Sequence, residues 1–275
     1  MRIRRAEGAP PPGAPGLFWL GQAGFWIETA RLRILIDPYL SDSLARKYAG
    51  TKHPHLRMMP PPVALEALPR PDIVLVTHAH TDHMDPDTLG PLHRRFPDLP
   101  FVVPAATEDV ARARIGAEAR LILADAGAVL EPLPGLRLTV FPAAHEALER
   151  DGKGRHLFLG FGIAADGLRL FHSGDCVPFD GLAERLAAFD PQILLLPVNG
   201  RDGGRLADGI PGNFRLDEAV GLARGYPYLI PHHFGMFAFN TIEPAEIDAA
   251  AARADGRPTI LRPEAGMTLR IDMTG

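Results

Sequence analysis

The apolar run Ile73-Val74-Leu75-Val76 leads directly into Thr77-His78-Ala79-His80-Thr81-Asp82-His83-Met84-Asp85. Four apolar residues, three of them β-branched, read as a short buried strand. The end of that strand must then accommodate three imidazoles and a carboxylate within six residues. As buried cations the imidazoles would repel one another. Neutral imidazoles and an ionised carboxylate that share a metal are compatible, and both ligand types suit zinc, manganese or iron. In an extended or turning segment His78 and His80 point the same way, while Asp82 and His83 face a neighbouring point. One segment can thus serve two metal positions.

The run has company. Leu136-Phe141 leads to His145, Leu168-Phe171 to His172 and Asp175, and Tyr228-Pro231 to His232 and His233. Sheet ends are rigid, so side chains just beyond them can be held to the tolerance that metal coordination needs. Asp37, after Leu32-Ile36, and Asp85 are candidate acceptors for the N–H groups of ligand imidazoles.

The remaining pattern is of short apolar runs and helices. Strands are expected at Leu17-Leu20, Phe25-Ile27, Leu32-Ile36, Phe101-Val103, Leu121-Leu123, Leu157-Ile163, Ile193-Leu196, Thr259-Leu261 and Met267-Ile271. Helices are expected at Pro86–Arg95, Thr107–Ile115, Asp180–Ala188, Leu216–Arg224 and Pro244–Arg253. Residues 41–62 read as a long loop or short helix. Residues 1–16, rich in Pro, Gly and Ala, read as a flexible arm, and 17–275 as one domain. Two sheets covered by helices fit this order.

A net charge of -4 without a long basic run argues against a nucleic-acid partner. No apolar stretch approaches the roughly 20 residues of a membrane span, so stable membrane association is not expected. Cys176 is the one cysteine, which excludes a disulfide framework. With no apolar signal core behind Met1-Arg2-Ile3-Arg4-Arg5, a cytoplasmic location is expected. Cys176 itself reads as a buried, inert thiol. His53, His55, His93 and His156 have no partner pattern and are expected at the surface. Lys47, Lys52, His53 and Arg57, with Arg201 and Arg205, form two basic loops that could gather an anion or simply be solvated.

At this point the chain resembles the metallo-β-lactamase fold hydrolases. The carrying motif is His78-x-His80-x-Asp82-His83 after a strand, then His145, Asp175 in Ser173-Gly174-Asp175, and a late histidine. Trp19-Leu20-Gly21-Gln22-Ala23-Gly24-Phe25 and Leu229-Ile230-Pro231-His232-His233-Phe234-Gly235 look most like the branch that contains L-ascorbate phosphate lactonase and N-acyl-phosphatidylethanolamine phospholipase D. The resemblance implies an α+β, four-layer αββα sandwich of two mostly antiparallel sheets. It implies two divalent metal ions, zinc first, with manganese or iron compatible. His78, His80 and His145 would hold one, and Asp82, His83 and His233 the other, with His232 as the second choice for the late ligand. Asp175 would bridge them, and Asp82 and Asp175 would be the catalytic carboxylates. The reaction implied is attack by an acidified water on an ester-type bond of a small, anionic substrate. A lactone or sugar-phosphate lactone is favoured, and a phosphodiester is the alternative. A diiron redox protein is a further alternative, although such relatives carry Glu where this chain has His80. So is a non-catalytic metal-binding protein.

Overall fold

A computed structural model describes residues 1–273. In chain order its elements are β1 (Arg2–Glu7), β2 (Gly16–Gly21), β3 (Gly24–Glu28), β4 (Arg33–Ile36), α1 (Ser43–Lys47), β5 (Ile73–Leu75), α2 (Pro86–Arg95), β6 (Pro100–Pro104), α3 (Glu108–Ile115), β7 (Arg120–Ala124) and β8 (Val129–Leu133). They continue with β9 (Leu136–Pro142), β10 (Leu159–Ala165), β11 (Leu168–His172), α4 (Leu182–Phe189), β12 (Ile193–Pro197), α5 (Gly203–Ala207), α6 (Leu216–Ala223), β13 (Tyr228–His232), α7 (Pro244–Arg253), β14 (Thr259–Ile260) and β15 (Met267–Asp272).

One sheet runs β1-β15-β2-β3-β4-β5-β6-β7 and the other β14-β13-β12-β11-β10-β9-β8. The architecture is the expected α+β sandwich, with helices outside two stacked sheets. Its sheets are mixed rather than mostly antiparallel. Strands β4 through β7 and β11 through β14 pair in parallel. The reason is connectivity: most of these strands are joined through helical segments, and such a crossover returns the chain in the same direction.

Side-chain alternation sorts the layers. Leu17, Trp19, Ile34, Ile36, Ile73 and Leu75 enter the core between the sheets. Their neighbours Phe18, Leu20, Leu35, Val74 and Val76 face the opposite way, under α2 and α3. Both faces of this sheet are apolar because both are covered. Burying each such side chain is worth about 1.5–3 kcal/mol, so the register of β5, and with it the run that follows, is strongly fixed.

Residues 1–16 are not a free arm. β1 pairs antiparallel with β15, Arg2 opposite Asp272 and Glu7 opposite Met267. A charged strand at a sheet edge has no local signature; its partner lies at the far end of the chain. The expected domain limit of 275 lies two residues beyond the described ones. Among the described residues no helix is long and apolar enough to cross a membrane.

Candidate metal centre

β5 ends at Leu75, and the chain turns through His80 to His83, with His83 N–H and Met84 N–H both donating to His80 O. This turn gives the segment its two directions. His78, His80 and Asp175 offer ligand atoms within 4.8 Å of one another, and so do Asp82, His83 and His233. Asp175 stands between the groups. Its Oδ1 is 3.3 Å from His83 Nε2, and its Oδ2 is 3.3 Å from His233 Nε2 and 3.8 Å from His145 Nε2. Asp82 Oδ2 is 3.7 Å from both His83 Nε2 and His233 Nε2.

The Ser-Gly-Asp turn fixes Asp175. Gly174 has φ +63°, and a Cβ there would lie 2.7 Å from Leu159 O and 2.8 Å from Thr77 Cβ. Only glycine fits this close approach without backbone strain. Gly174→Ala is therefore expected to cost about 1–3 kcal/mol of stability and to displace Asp175. Denaturant unfolding and metal content check it, and a wild-type midpoint with full metal retention would refute it.

His233, not His232, faces Asp175. A strand alternates its side chains, so consecutive histidines should point to opposite faces. His232 goes inward and stacks on His172 at 4.6 Å. His233 has φ +61°, a left-handed conformation uncommon outside glycine, and its N–H donates to Gln22 O. His172 is a core residue, accepting from Gly174 N–H at Nδ1 and lying 2.8 Å from Ala23 O.

Asp37 fills its expected supporting position. Its Oδ2 is 2.7 Å from His83 Nδ1 and accepts from Thr77 Oγ1, and its Oδ1 accepts from Thr77 N–H. Asp85 does not. It accepts from Ser43 Oγ, Thr88 Oγ1 and Asp87 N–H, as the N-cap of α2. Burial raises its pKa, and none of its partners is an imidazole. An Asp just ahead of Pro86 was a cap signal.

Gln22 escaped the sequence reading. It is fully buried, and its Nε2 donates to Asp82 Oδ2 at 2.8 Å while lying 3.1 Å from His233 Nε2. It sits between β2 and β3 at φ +50°. A glutamine in a hairpin turn carries no ligand spacing that would single it out. Cys176 is buried as expected, and burial pushes its thiol up to about 12.

The electrostatics suit a cation. Burial would raise Asp175, but His233 and His83 hold it well below the ordinary carboxylate range. Burial likewise opposes ionisation of Asp82, and His83 and His233 overcome it. Burial, then His83 and His80, hold His78 well below the usual imidazole value, and burial takes His145 to about 4. Burial pulls His83 down as well, but Asp175, Asp37 and Asp82 lift it well above. The balance is two anionic carboxylates beside three imidazoles, His78, His80 and His145, that burial keeps neutral. His78 Nε2, His83 Nε2 and Asp175 Oδ1 are buried without a hydrogen-bond partner among the described residues. Each such orphan costs about 1–3 kcal/mol, and all three belong to the two ligand groups. The donor set therefore fits divalent metal ions.

His80, Asp82, His145, Asp175 and His233 form the floor of a cavity of about 470 Å³, whose walls come from residues 44–55, 208–211, Phe237 and Asn240. The basic loops reach it only in part. Lys52 and His53 both engage Asp208, at 2.6 and 2.9 Å. Arg57 turns away to the backbone oxygens of Tyr39, Ser41 and Met59. Arg201 and Arg205 pair with Glu218 and Asp202. His53 and His55 line the cavity rather than the outer surface, and His156 is buried against Asp125 at 2.9 Å.

Residues 32–234 match the beta-lactamase superfamily domain. The chain belongs to the metallo-β-lactamase superfamily. A metal-dependent hydrolase of Opitutus terrae is 31% identical over 248 residues, covering 88% of this chain and 94% of its own. An N-acyl-phosphatidylethanolamine-hydrolyzing phospholipase D of Caenorhabditis elegans is 27% identical over 197 residues, 66% of this chain and 54% of its own. An isothiocyanate hydrolase from Delia radicum gut bacteria shares the fold, with a TM-score of 0.72 at 19% identity, covering 93% of this chain and 98% of that one. Within the superfamily, this chain is a metal-dependent hydrolase.

Proposed function

We propose that the protein hydrolyses an ester-type bond of a small, anionic substrate with the help of two divalent ions. His78, His80 and His145 would hold one ion and Asp82, His83 and His233 the other, with Asp175 shared. Asp175 between the two groups, 3.3 Å from His83 and His233 on one side and 3.8 Å from His145 on the other, carries this reading. Bound there, divalent ions supply Lewis acidity and lower the pKa of a coordinated water toward neutrality. The protein's own groups do the rest. Asp37 orients His83 through Nδ1, and Gln22 fixes Asp82 through Oδ2. Asp82, with 16% of its side chain exposed against 5% for Asp175, is the carboxylate more open to the cavity. It can accept the proton of the attacking water. His78, fully buried, keeps solvent from the far side.

A lactone or carboxylic ester is the favoured class. The resemblance to the nematode phospholipase D supports a phosphodiester as the second reading. Zinc comes first among the metals, with manganese or iron equally compatible with all-N/O ligation. His80 within the first group supports hydrolysis over a diiron redox role.

The test is turnover of γ-butyrolactone, p-nitrophenyl acetate, bis(p-nitrophenyl) phosphate and p-nitrophenyl phosphate before and after chelation. We expect activity on the lactone and carboxylic ester that disappears with chelator and returns with zinc or manganese. Activity on the phosphodiester alone would establish the second reading. No metal-dependent turnover on any of the four would overturn hydrolysis.

A further inference from the structure

We propose that the cavity selects a substrate carrying one anionic group, set against Lys47, and a flat apolar body laid along the Tyr48–His55–Phe237 wall. The proposal rests on the hydrolase reading of the cavity floor and adds to it the part of the substrate that is not cleaved.

The wall is built from rings. Tyr48 and His55 stack at 4.2 Å with 21° between planes, and His55 meets Phe237 edge-on at 4.9 Å. Phe239 closes the cluster behind, 4.8 Å from His55 and 5.0 Å from His53. His55 Nδ1–H donates to His53 O at 2.8 Å, which fixes the ring's orientation. Burial lowers its pKa, so this imidazole is a neutral face and not a second charge. Aromatic faces favour offset stacking or edge contacts with a flat apolar group.

The cations in the cavity are unequal. Lys52 and His53 are committed to Asp208. Arg114 donates to the backbone oxygens of Ala79 and Met84. Among the described residues only Lys47 lines the cavity as a cation with neither a carboxylate nor a hydrogen-bond partner. It is the last residue of α1, exposed, with its Nζ 5.0 Å from the Tyr48 ring. It lines the cavity together with His80 and Asp82 of the metal-ligand groups and with Tyr48, His55 and Phe237 of the aromatic wall. One free cation matches one negative charge. A phosphate monoester dianion, such as a sugar phosphate, would need more than the cavity offers, since its other cations are already satisfied.

The proposal is tested by binding, apart from any turnover. The probes are 2-phenylethanesulfonate, whose sulfonate is a poor metal ligand, and its neutral counterpart 2-phenylethyl methyl sulfone. Titration calorimetry on the protein as purified should show the sulfonate binding about five-fold tighter, the upper range for one exposed ion pair. Lys47→Ala should erase the difference, and Lys47→Glu should reverse the order. Tyr48→Ala should weaken both probes alike. Lys47 is exposed, so its variants should unfold at the wild-type temperature. A preference for the sulfonate that survives in Lys47→Ala would overturn the role of Lys47, and unchanged binding in Tyr48→Ala would overturn the wall. Loss of the hydrolase reading would look different: no metal-dependent turnover, with the binding preference intact.

Discussion

Replacing Asp175 by alanine should lower bound metal from close to two ions per chain to one or fewer, and reduce turnover by at least about a thousand-fold, or about 4 kcal/mol of transition-state stabilisation. The geometry makes this the largest single effect. Asp175 is the carboxylate that, among the described residues, contacts members of both ligand groups, His83 through Oδ1 and His233 and His145 through Oδ2. Its carboxyl is held well below the ordinary range by His233 and His83 against the pull of burial. Removing it leaves His83, His145 and His233 around an uncompensated space, so two cations could no longer be held as neighbours. Asp175→Asn keeps the volume and removes the charge; it should lose metal nearly as completely. Elemental analysis after desalting, beside activity on the preferred ester, makes the measurement. Wild-type metal content in both variants would take Asp175 out of the ligand set and the two-ion reading with it.

The parts of this site that were legible in the sequence are local ones. The strand Ile73–Leu75 and the histidine run are contiguous, so spacing alone conveyed two directions of ligation. His145, Asp175 and His233 each stand a few residues past an apolar strand, and the family motif marked them. What sequence could not convey lies in contacts across long separations. Lys52 and Asp208 are 156 residues apart in the chain, and nothing near Lys52 shows that its charge is already matched. The sequence therefore left the basic loop open between an anion trap and a solvated segment, while among the described residues the fold leaves Lys47 as the one free cation lining the cavity. β1 was missed for the same reason, because only β15 makes it a strand. Asp85 was misread differently. Its neighbours in the motif suggested support for an imidazole, yet the following Pro86 already marked it as a helix cap. Gln22 had no chemical signature at all, since its role comes from a left-handed turn that aims an amide at Asp82 and His233.

Asp37 should prove nearly as consequential as Asp175, although it is not among the proposed ligands. It is fully buried, and it accepts from Thr77 N–H, from Thr77 Oγ1 and, at Oδ2, from His83 Nδ1–H when the ring donates there. That last contact leaves His83 Nε2 directed at Asp175, the tautomer a metal requires. Asp37→Ala would strand a backbone donor, a hydroxyl and an imidazole in the interior. Breaking a buried network of this kind costs about 3–5 kcal/mol, so the unfolding midpoint should fall sharply. Asp37→Asn separates the two roles. It retains the side-chain volume and one acceptor oxygen for Thr77 N–H, but it sets an NH2 donor where Oδ2 accepted from His83 Nδ1–H. Metal affinity should then fall about 10–100-fold while most stability is kept. Metal titration of the chelated protein beside a denaturant curve distinguishes these results. Should Asp37→Asn bind metal as tightly as wild type, Asp37 would be a purely structural anchor for β4 and β5, and the orientation of His83 would have to come from Thr77 and the packing around it.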